Sequence, residues 1–130
     1  MKYLCLIYST ESQWATMPRA EYNAVMGEYF AFTEQIRGEG KYIAGEGLQP
    51  TGTATTVRVR KGRISTTDGP FAETKEQLGG FYLIDAEDLS DAIRTASRIP
   101  SARYGAIEVR RVMDFSAEAA KREGAKATHR

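Results

Sequence analysis

Two segments of this 130-residue chain carry apolar side chains on both faces of a strand. In Lys2 to Tyr8, Tyr3, Cys5 and Ile7 alternate with two leucines and a tyrosine, and Gly79 to Asp85 repeats the pattern with aromatic and aliphatic residues. Successive side chains of a strand point to opposite faces of its sheet, so both segments need apolar cover on two sides. We therefore predict that both are central strands of one sheet.

The other segments complete an α+β domain. One predicted helix begins at Pro18 and ends near Gly38, because its apolar residues recur at spacings of three and four. A second begins after the N-cap residue Asp88 and stops at Pro100. The remaining predicted elements are strands at Tyr42 to Leu48 and Ala106 to Val112 and an inserted hairpin of Thr55 to Arg60 and Arg63 to Thr67. The hairpin aside, this order is typical of the ferredoxin-like, split βαβ antiparallel sheet.

Two helices can cover only one face of such a sheet, so the second apolar face needs another partner. A second copy of the chain is the commonest source, and it would give a homodimer whose sheets pack face to face as a dimeric α+β barrel. The alternative is that the tyrosines of this face tolerate water and the face stays open.

The composition is that of an ordinary globular domain and does not indicate any particular reaction. Hydrophobic residues make up 42% of the chain and charged residues 27%, and the net charge is +1. This near-balance gives no electrostatic reason for a nucleic-acid or anionic-membrane partner. The first apolar run is shorter than the ~7 to 15 residues of a signal-peptide core, and no segment approaches the ~20 apolar residues of a membrane span. We expect a cytoplasmic protein with no nucleic-acid and no membrane partner.

The residue inventory restricts the chemistry. The single cysteine, Cys5, lies in an apolar strand, and the single histidine, His129, lies in the C-terminal tail, where we expect a solvated side chain. We therefore predict no metal site, no thiol nucleophile and no histidine base. Glycine-rich loops of the kind that cradle nucleotide phosphates are also missing, so we predict no cofactor. Carboxylate, lysine, arginine and tyrosine chemistry remains.

The chain divides into a predicted domain of residues 1–115 and a C-terminal extension of residues 116–130. The extension is rich in alanine, glutamate, lysine and arginine, and Ser116 can cap a short helix there. An isolated helix of this length is marginal in water, so we expect the extension to be either frayed or docked on another surface.

Four basic residues fall within six positions of the hairpin: Arg58, Arg60, Lys61 and Arg63. Arg58 and Arg60 alternate with Val57 and Val59, which we expect to be buried, and no aromatic residues interleave with them. A solvated hairpin face is therefore favoured, a site for an acidic ligand is the second interpretation, and nucleic acid is the third.

The segment from Asp68 to Glu76 carries the most specific signal. Its turn at Gly69 and Pro70 holds Asp68 and Glu73 on one loop before a core strand. Carboxylates held close together in a partly dry cleft acquire different pKa values and can serve as acid and base. The structural alternative is that Asp68 caps its own turn and Glu73 pairs with a nearby cation.

The sequence Asp-Gly-Pro-Phe-Ala-Glu-Thr-Lys-Glu at 68–76 resembles the signature of the DGPF-motif group of YCII-related proteins. The resemblance extends from the opening strand, Met1 to Tyr8, to the segment from Val109 to Phe115. It implies a dimeric α+β barrel with a cleft that serves as an active or binding site, and an association with extracytoplasmic-function sigma factors. Smaller YCII-related proteins carry a histidine and an aspartate around the first helix, whereas Tyr22 to Glu39 contains neither. Only the loop carboxylates then remain as catalytic candidates.

Two functions follow. The first is a dimeric domain that binds a small polar or anionic compound, either as a binding protein or as an enzyme of proton-transfer or elimination type. Asp68 or Glu73 would be the base, Arg58 or Arg60 would neutralise an anion, and Tyr42 or Tyr82 would donate to an oxyanion. The predicted cleft residues outside the catalytic pair are Tyr8, Tyr42, Glu46, Arg58, Arg60 and Tyr82. The alternative is a non-catalytic regulatory module that contacts a sigma factor.

Overall fold

The computed structural model describes residues 1–128, the side chains of residues 117–118 and 125–128 excepted, so the expectation for His129 lies outside it. The structure is mixed α+β, with an antiparallel sheet, a separate two-stranded ribbon and several helices. The strands are β1 Lys2–Ser9, β2 Tyr42–Gly47, β3 Thr55–Arg60, β4 Arg63–Asp68, β5 Gln77–Asp85 and β6 Ala106–Arg111. The helices are α1 Glu11–Ala15, α2 Arg19–Gly38, α3 Leu89–Ser97 and α4 Phe115–Thr128, with short 3-10 turns at Thr51–Thr53 and Pro100–Arg103.

The main sheet has the strand order β2-β5-β1-β6, and every neighbouring pair is antiparallel. The two strands that are apolar on both faces, β1 and β5, are its inner strands, so that prediction is confirmed. Cys5 on β1 lies opposite Tyr82 on β5 and Val109 on β6. The register shifts by one residue between Ile7 and Tyr8, which leaves Gly79 as an unpaired bulge in β5.

One face of this sheet carries the hydrophobic core. On β1, Tyr3, Cys5 and Ile7 are buried and alternate with half-buried neighbours. They pack with Phe32 and Ile36 of α2 and with residues of α3 and of the segment after it. The core cluster comprises Tyr3, Cys5, Ile7, Phe32, Ile36, Tyr82, Ile84, Ala86, Ala92, Ala96 and Ile99. We call this side of the sheet the helix face.

The opposite side, the open face, is apolar but less covered. Its side chains alternate with those of the core along β1 and β5 and are half-buried rather than buried. They are Leu4, Leu6, Tyr8, Leu78, Phe81 and Leu83. None of them belongs to the buried core of the described chain. The open face is therefore a continuous apolar surface two strands wide.

Helix α1 was not predicted, because Ser9 to Met17 shows no apolar periodicity. Its stability comes from contacts with distant segments, as is usual for a helix of one or two turns. Trp14 donates from its indole Nε1 to Ser9 Oγ at 2.7 Å, and its ring lies edge-on to the ring of Tyr104. Glu11 N donates to Gln77 Oε1 at 2.9 Å.

The hairpin differs from its prediction in burial. Strands β3 and β4 pair with each other and with no strand of the main sheet. Val57 and Val59 are 60% and 56% exposed, and Ile64, which lies opposite Val59, is 75% exposed. The expectation that these valines are buried is therefore wrong, because a two-stranded ribbon that no sheet covers has two solvent-facing sides.

The start of α3 is held by two aspartates. Asp88, the predicted N-cap, accepts a hydrogen bond from Asp91 N at 2.8 Å, which confirms that prediction. Asp91 in turn accepts from Lys41 Nζ at 2.6 Å, and this hydrogen bond lowers the pKa of the Asp91 carboxyl. The contact ties α3 to the residue that precedes β2.

We expect Asp88→Ala to lower the free energy of unfolding by about 1 kcal/mol, because an N–H of the first turn of α3 loses its acceptor. Urea unfolding followed by circular dichroism measures the change. Glu87→Ala is the matched control, since the Glu87 side chain is exposed and caps nothing. Equal stability of the two variants would contradict the capping role.

Candidate functional site

A cavity of about 680 Å³ opens on the helix face, between the sheet and helices α1 and α2. Helix α2 contributes a stripe of side chains at spacings of three and four: Tyr22, Met26, Tyr29 and Thr33. Helix α1 contributes Glu11 and Trp14, and the 3-10 turn after α3 contributes Ser101. The strand and loop residues of the wall are Ile7, Ser9, Tyr42, Gly45 to Pro50, Gln77 and Gly79 to Tyr82.

The cavity exists because this end of the helix face lacks side chains. Gly47 on β2 lies opposite Gly80 on β5, and Gly80 lies opposite Ile7. Gly45 is also required for close packing, since a Cβ there would lie 2.9 Å from Cδ1 of the Tyr82 ring. At the other end of the same face, Phe32 and Ile36 fill the space between α2 and the sheet. Of these three glycines, Gly47 leaves open space, since a Cβ there would meet no atom within 4 Å, whereas Gly80 allows close backbone packing, since its Cβ would lie 2.7 Å from the carbonyl oxygen of Glu46.

Tyrosine rings form the inner wall of the cavity. The Tyr29 and Tyr82 rings are nearly parallel, with centroids 6.5 Å apart and an interplanar angle of 9°. The Tyr42 ring meets Tyr82 edge-on at 6.3 Å, and Phe32 meets it edge-on at 5.1 Å from the core side. Tyr82 is only 8% exposed, so it fixes the other rings in position.

The hydroxyls of Tyr29 and Tyr82 are already paired. Thr33 Oγ1 donates to the carbonyl oxygen of Tyr29 at 2.9 Å, so it must accept at 2.8 Å from the hydroxyl of Tyr82. The hydroxyl of Tyr29 is hydrogen-bonded to Ser101 Oγ. Burial raises the pKa of both Tyr29 and Tyr82. Both phenols therefore stay protonated at neutral pH and are hydrogen-bond donors rather than bases.

Glu11 lines the cavity and connects α1 to the loop after β2. Its Oε1 accepts from Thr51 N at 2.7 Å and its Oε2 from Thr51 Oγ1 at 2.9 Å. These bonds hold the loop after β2 against α1. Because the carboxylate also lines the cavity, it contributes negative charge to the wall.

The structure brings together only part of the predicted cleft. Tyr42, Glu46 and Tyr82 line the cavity. Glu46 is exposed and lies opposite Phe81 on β5, in register with the open face. Tyr8 lies on the open face and is not part of the lining.

The predicted charged residues lie elsewhere. Asp68 is exposed at the end of β4, and Glu73 is exposed in the loop before β5. Arg58 stacks on the ring of Phe71, with its guanidinium carbon 5.6 Å from the ring centre, and Arg60 is exposed on the ribbon. Neither pair lines the cavity of the single chain. The catalytic roles of Asp68 and Glu73 stay predictions.

Most residues of the wall were missed by sequence reasoning, among them Glu11, Trp14, Tyr29 and Ser101. The signal for Tyr29 was present, because it belongs to the apolar stripe of α2, but a helical stripe is equally typical of core packing. Trp14, Glu11 and Ser101 have no such pattern, and they enter the site only through the tertiary fold.

Among the described residues, no group of three or more histidine, cysteine, aspartate or glutamate side chains could hold a metal ion. In residues 1–128, no helix is long and apolar enough to cross a bilayer.

The YCII-related domain family matches residues 1–116. The chain belongs to this family. An uncharacterized protein of Rhizobium meliloti (strain 1021) is 39% identical to it over 112 residues, which cover 85% of this chain and 90% of the relative. In this YCII-related protein the helix that lines the cavity, α2, supplies tyrosine and threonine hydroxyls and contains no histidine or aspartate.

Cys5 lies beneath the helices and outside the cavity wall, with no exposed surface. Burial raises the pKa of its thiol from 9.0 to about 11. The thiol is therefore neutral at physiological pH, and this favours a structural role over a nucleophilic one.

The raised pKa predicts alkaline destabilisation. Folding favours the neutral thiol, so its contribution is complete below pH 9 and is lost as the pH rises towards 11. Between pH 8 and pH 11 we expect the free energy of unfolding of the native chain to fall by roughly 2 kcal/mol more than that of Cys5→Ala. Urea unfolding at several pH values measures both slopes. Both proteins keep Tyr29 and Tyr82, so the similar effect of these two phenols cancels in the comparison. Parallel slopes would contradict the predicted contribution of the Cys5 thiol.

Proposed function

We propose that this YCII-related protein is a dimeric small-molecule-binding domain whose ligand occupies the cavity beneath α2. The observation that carries the proposal is the cavity itself. Its volume of about 680 Å³ lies in the usual range for small-molecule sites, and apolar rings with a few placed hydroxyls are the lining such sites use.

The hydroxyls of Tyr22 and Tyr42 would make direct contact with the ligand. Both residues line the cavity, and neither side chain has a hydrogen-bond partner in the described chain. Tyr42 is half-buried and lies beside Tyr82, so its hydroxyl can donate to a carbonyl or a developing oxyanion. Arg58 and Arg60 do not line the cavity, so nothing in the lining supports an anionic ligand.

An enzyme of proton-transfer or elimination type needs a base at the ligand. We propose Asp68 or Glu73 for this role only in the dimer, where the loop of one copy would have to reach the cavity of the other. The single chain offers Glu11 and Glu46 as the carboxylates of the wall. Binding is therefore better supported than catalysis.

The dimer would bury the open face. We propose that two copies pack these faces together, so that two ferredoxin-like sheets form one α+β barrel. Six half-buried apolar residues on β1 and β5 support this arrangement, because a patch of this kind rarely stays exposed on a monomer. We also propose that the protein belongs to the DGPF-motif group, on its segment 68–76, and that it is cytoplasmic, which fits its free buried cysteine.

We expect light scattering to give twice the single-chain mass of 14.4 kDa at micromolar concentration. Leu6→Lys places a charge in the centre of the open face and should yield monomers that keep their circular dichroism spectrum. Leu89→Lys is the control, since Leu89 is 53% exposed on α3, and it should remain dimeric. A single-chain mass for the unmodified protein would overturn the proposed dimer.

The ligand test uses Trp14, the single tryptophan, which lies in the cavity wall. Small aromatic compounds should change its fluorescence. Gly47→Leu should reduce this binding at least about tenfold, because the new side chain enters the cavity and a Cβ at this position meets no atom within 4 Å. Gly27→Leu adds the same side chain to α2 outside the wall and should bind normally. Unchanged binding to Gly47→Leu would place the ligand elsewhere.

In the same assay, Asp68→Asn and Glu73→Gln test whether the loop of residues 68–76 contributes to the site in the cavity. If the loop of the partner copy completes the site, both variants lose binding or turnover with an unchanged melting temperature. If they bind as tightly as the native protein and any turnover found is unchanged, the proposed catalytic role of the loop is wrong.

One observation favours the alternative of a regulatory interaction module. Val57, Val59 and Ile64 form an exposed apolar surface on one side of the ribbon, away from the main sheet. Such a surface is typical of protein-binding sites. A sigma factor remains the proposed partner on the resemblance alone, and Val59→Lys should abolish such an interaction without altering ligand binding in the cavity.

A further inference from the structure

The charged side chains that line the cavity are of one sign. Among the described residues, its lining includes the carboxylates of Glu11 and Glu46 and no lysine, arginine or histidine side chain. A phosphate or carboxylate ligand is typically bound by an arginine or a lysine. The lining therefore discriminates against anions.

Glu11 is the better placed of the two carboxylates. It is half-buried, and its oxygens accept hydrogen bonds from Thr51, which hold it in one orientation. No cationic group of the described chain forms an ion pair with it. A carboxylate that is fixed and partly removed from water but has no counter-charge favours a cation beside it.

Aromatic faces supply the second attraction. Trp14 lies three residues after Glu11 on the same short helix, and the rings of Tyr29, Tyr42 and Tyr82 continue the wall. Rings of this kind attract cations at their faces. One such cation–π contact is present within the chain: the guanidinium carbon of Arg37, which is not a lining residue, lies 4.4 Å from the centre of the Tyr42 ring.

We propose that the cavity takes an organic cation, in which a protonated or quaternary amine is joined to an apolar group. This rests on the proposed function, since it names the ligand class of the same cavity. The ammonium group would lie near Glu11 and the ring of Trp14, and the apolar part would reach the tyrosine wall. Glu46, at the exposed edge, would contribute longer-range attraction.

Three probes of similar size test the charge preference: 2-phenylethylammonium, 2-phenylethanol and phenylacetate. Their binding is followed by Trp14 fluorescence, with isothermal titration calorimetry as an independent measurement. We expect the ammonium compound to bind about tenfold more tightly than the alcohol, and phenylacetate to bind most weakly. The preference should decrease as salt is added.

Three variants assign the effect to Glu11. Glu11→Gln should reduce the affinity for the ammonium compound about tenfold and change that for the alcohol less than about twofold. Thr51→Val removes one hydrogen bond but keeps the charge, so it should retain the preference even if the loop loosens. Glu87→Gln removes an exposed carboxylate outside the wall and should behave like the native protein.

The outcomes separate the two proposals. If no probe binds, the proposed small-molecule function fails and the inference fails with it. If the three probes bind equally, the cavity is a binding site but the cation preference is wrong. If the preference survives in a folded Glu11→Gln variant, Glu11 is not its source and the inference is overturned.

Discussion

The inner strands β1 and β5 carry apolar side chains on both faces, while the helices of one chain cover a single face. The position of the core and the proposed dimer interface both follow from this imbalance. On the helix face, Phe32 and Ile36 of α2 pack against the sheet and form the core. On the open face, the leucines and aromatic residues are only half-buried within the described part of the chain, and none of them belongs to the core cluster. The free energy of burying them is available to a second copy of the chain, and this is why we place the dimer there.

Tyr82 connects the core to the cavity. Its ring contacts Phe32 on the core side and two tyrosines on the cavity side, and its hydroxyl donates to Thr33. A buried hydroxyl without a partner lowers the free energy of unfolding by on the order of 1 to 3 kcal/mol. Because separating α2 from β5 would break the bond between Tyr82 and Thr33, this bond holds the two elements at their native distance. The tyrosine part of the wall is consequently built on the folded core. A ligand would meet rings that are already in place, and binding would not have to order them.

Local patterns in the sequence predicted the elements that depend on local physics. The inner position of β1 and β5 followed from their alternation, and the start of α3 followed from the capping chemistry of Asp88. The cavity could not be predicted in this way. Its wall depends on the contacts of Glu11 with Thr51 and of Trp14 with Ser9 and Tyr104, which the fold brings together. Val57 and Val59 of the ribbon were correctly placed in a strand but wrongly expected to be buried, because alternation indicates a strand and does not show what covers it.

The separation between the cavity and the loop at Asp68 bears on what the protein can do. The cavity wall holds protonated phenols and two carboxylates, and one of these, Glu11, already holds the loop after β2. Such a set can orient a ligand and donate hydrogen bonds, but Glu11 is already engaged with Thr51. Proton abstraction would therefore fall to a carboxylate that is free to contact the ligand, in this chain or in the partner copy. A bound ammonium group would instead pair with the Glu11 carboxylate and occupy the oxygens that a base needs. Strong binding of an amine through Glu11 thus works against Glu11 as a base, and the proposed ligand class favours a binding function unless the dimer supplies a further carboxylate.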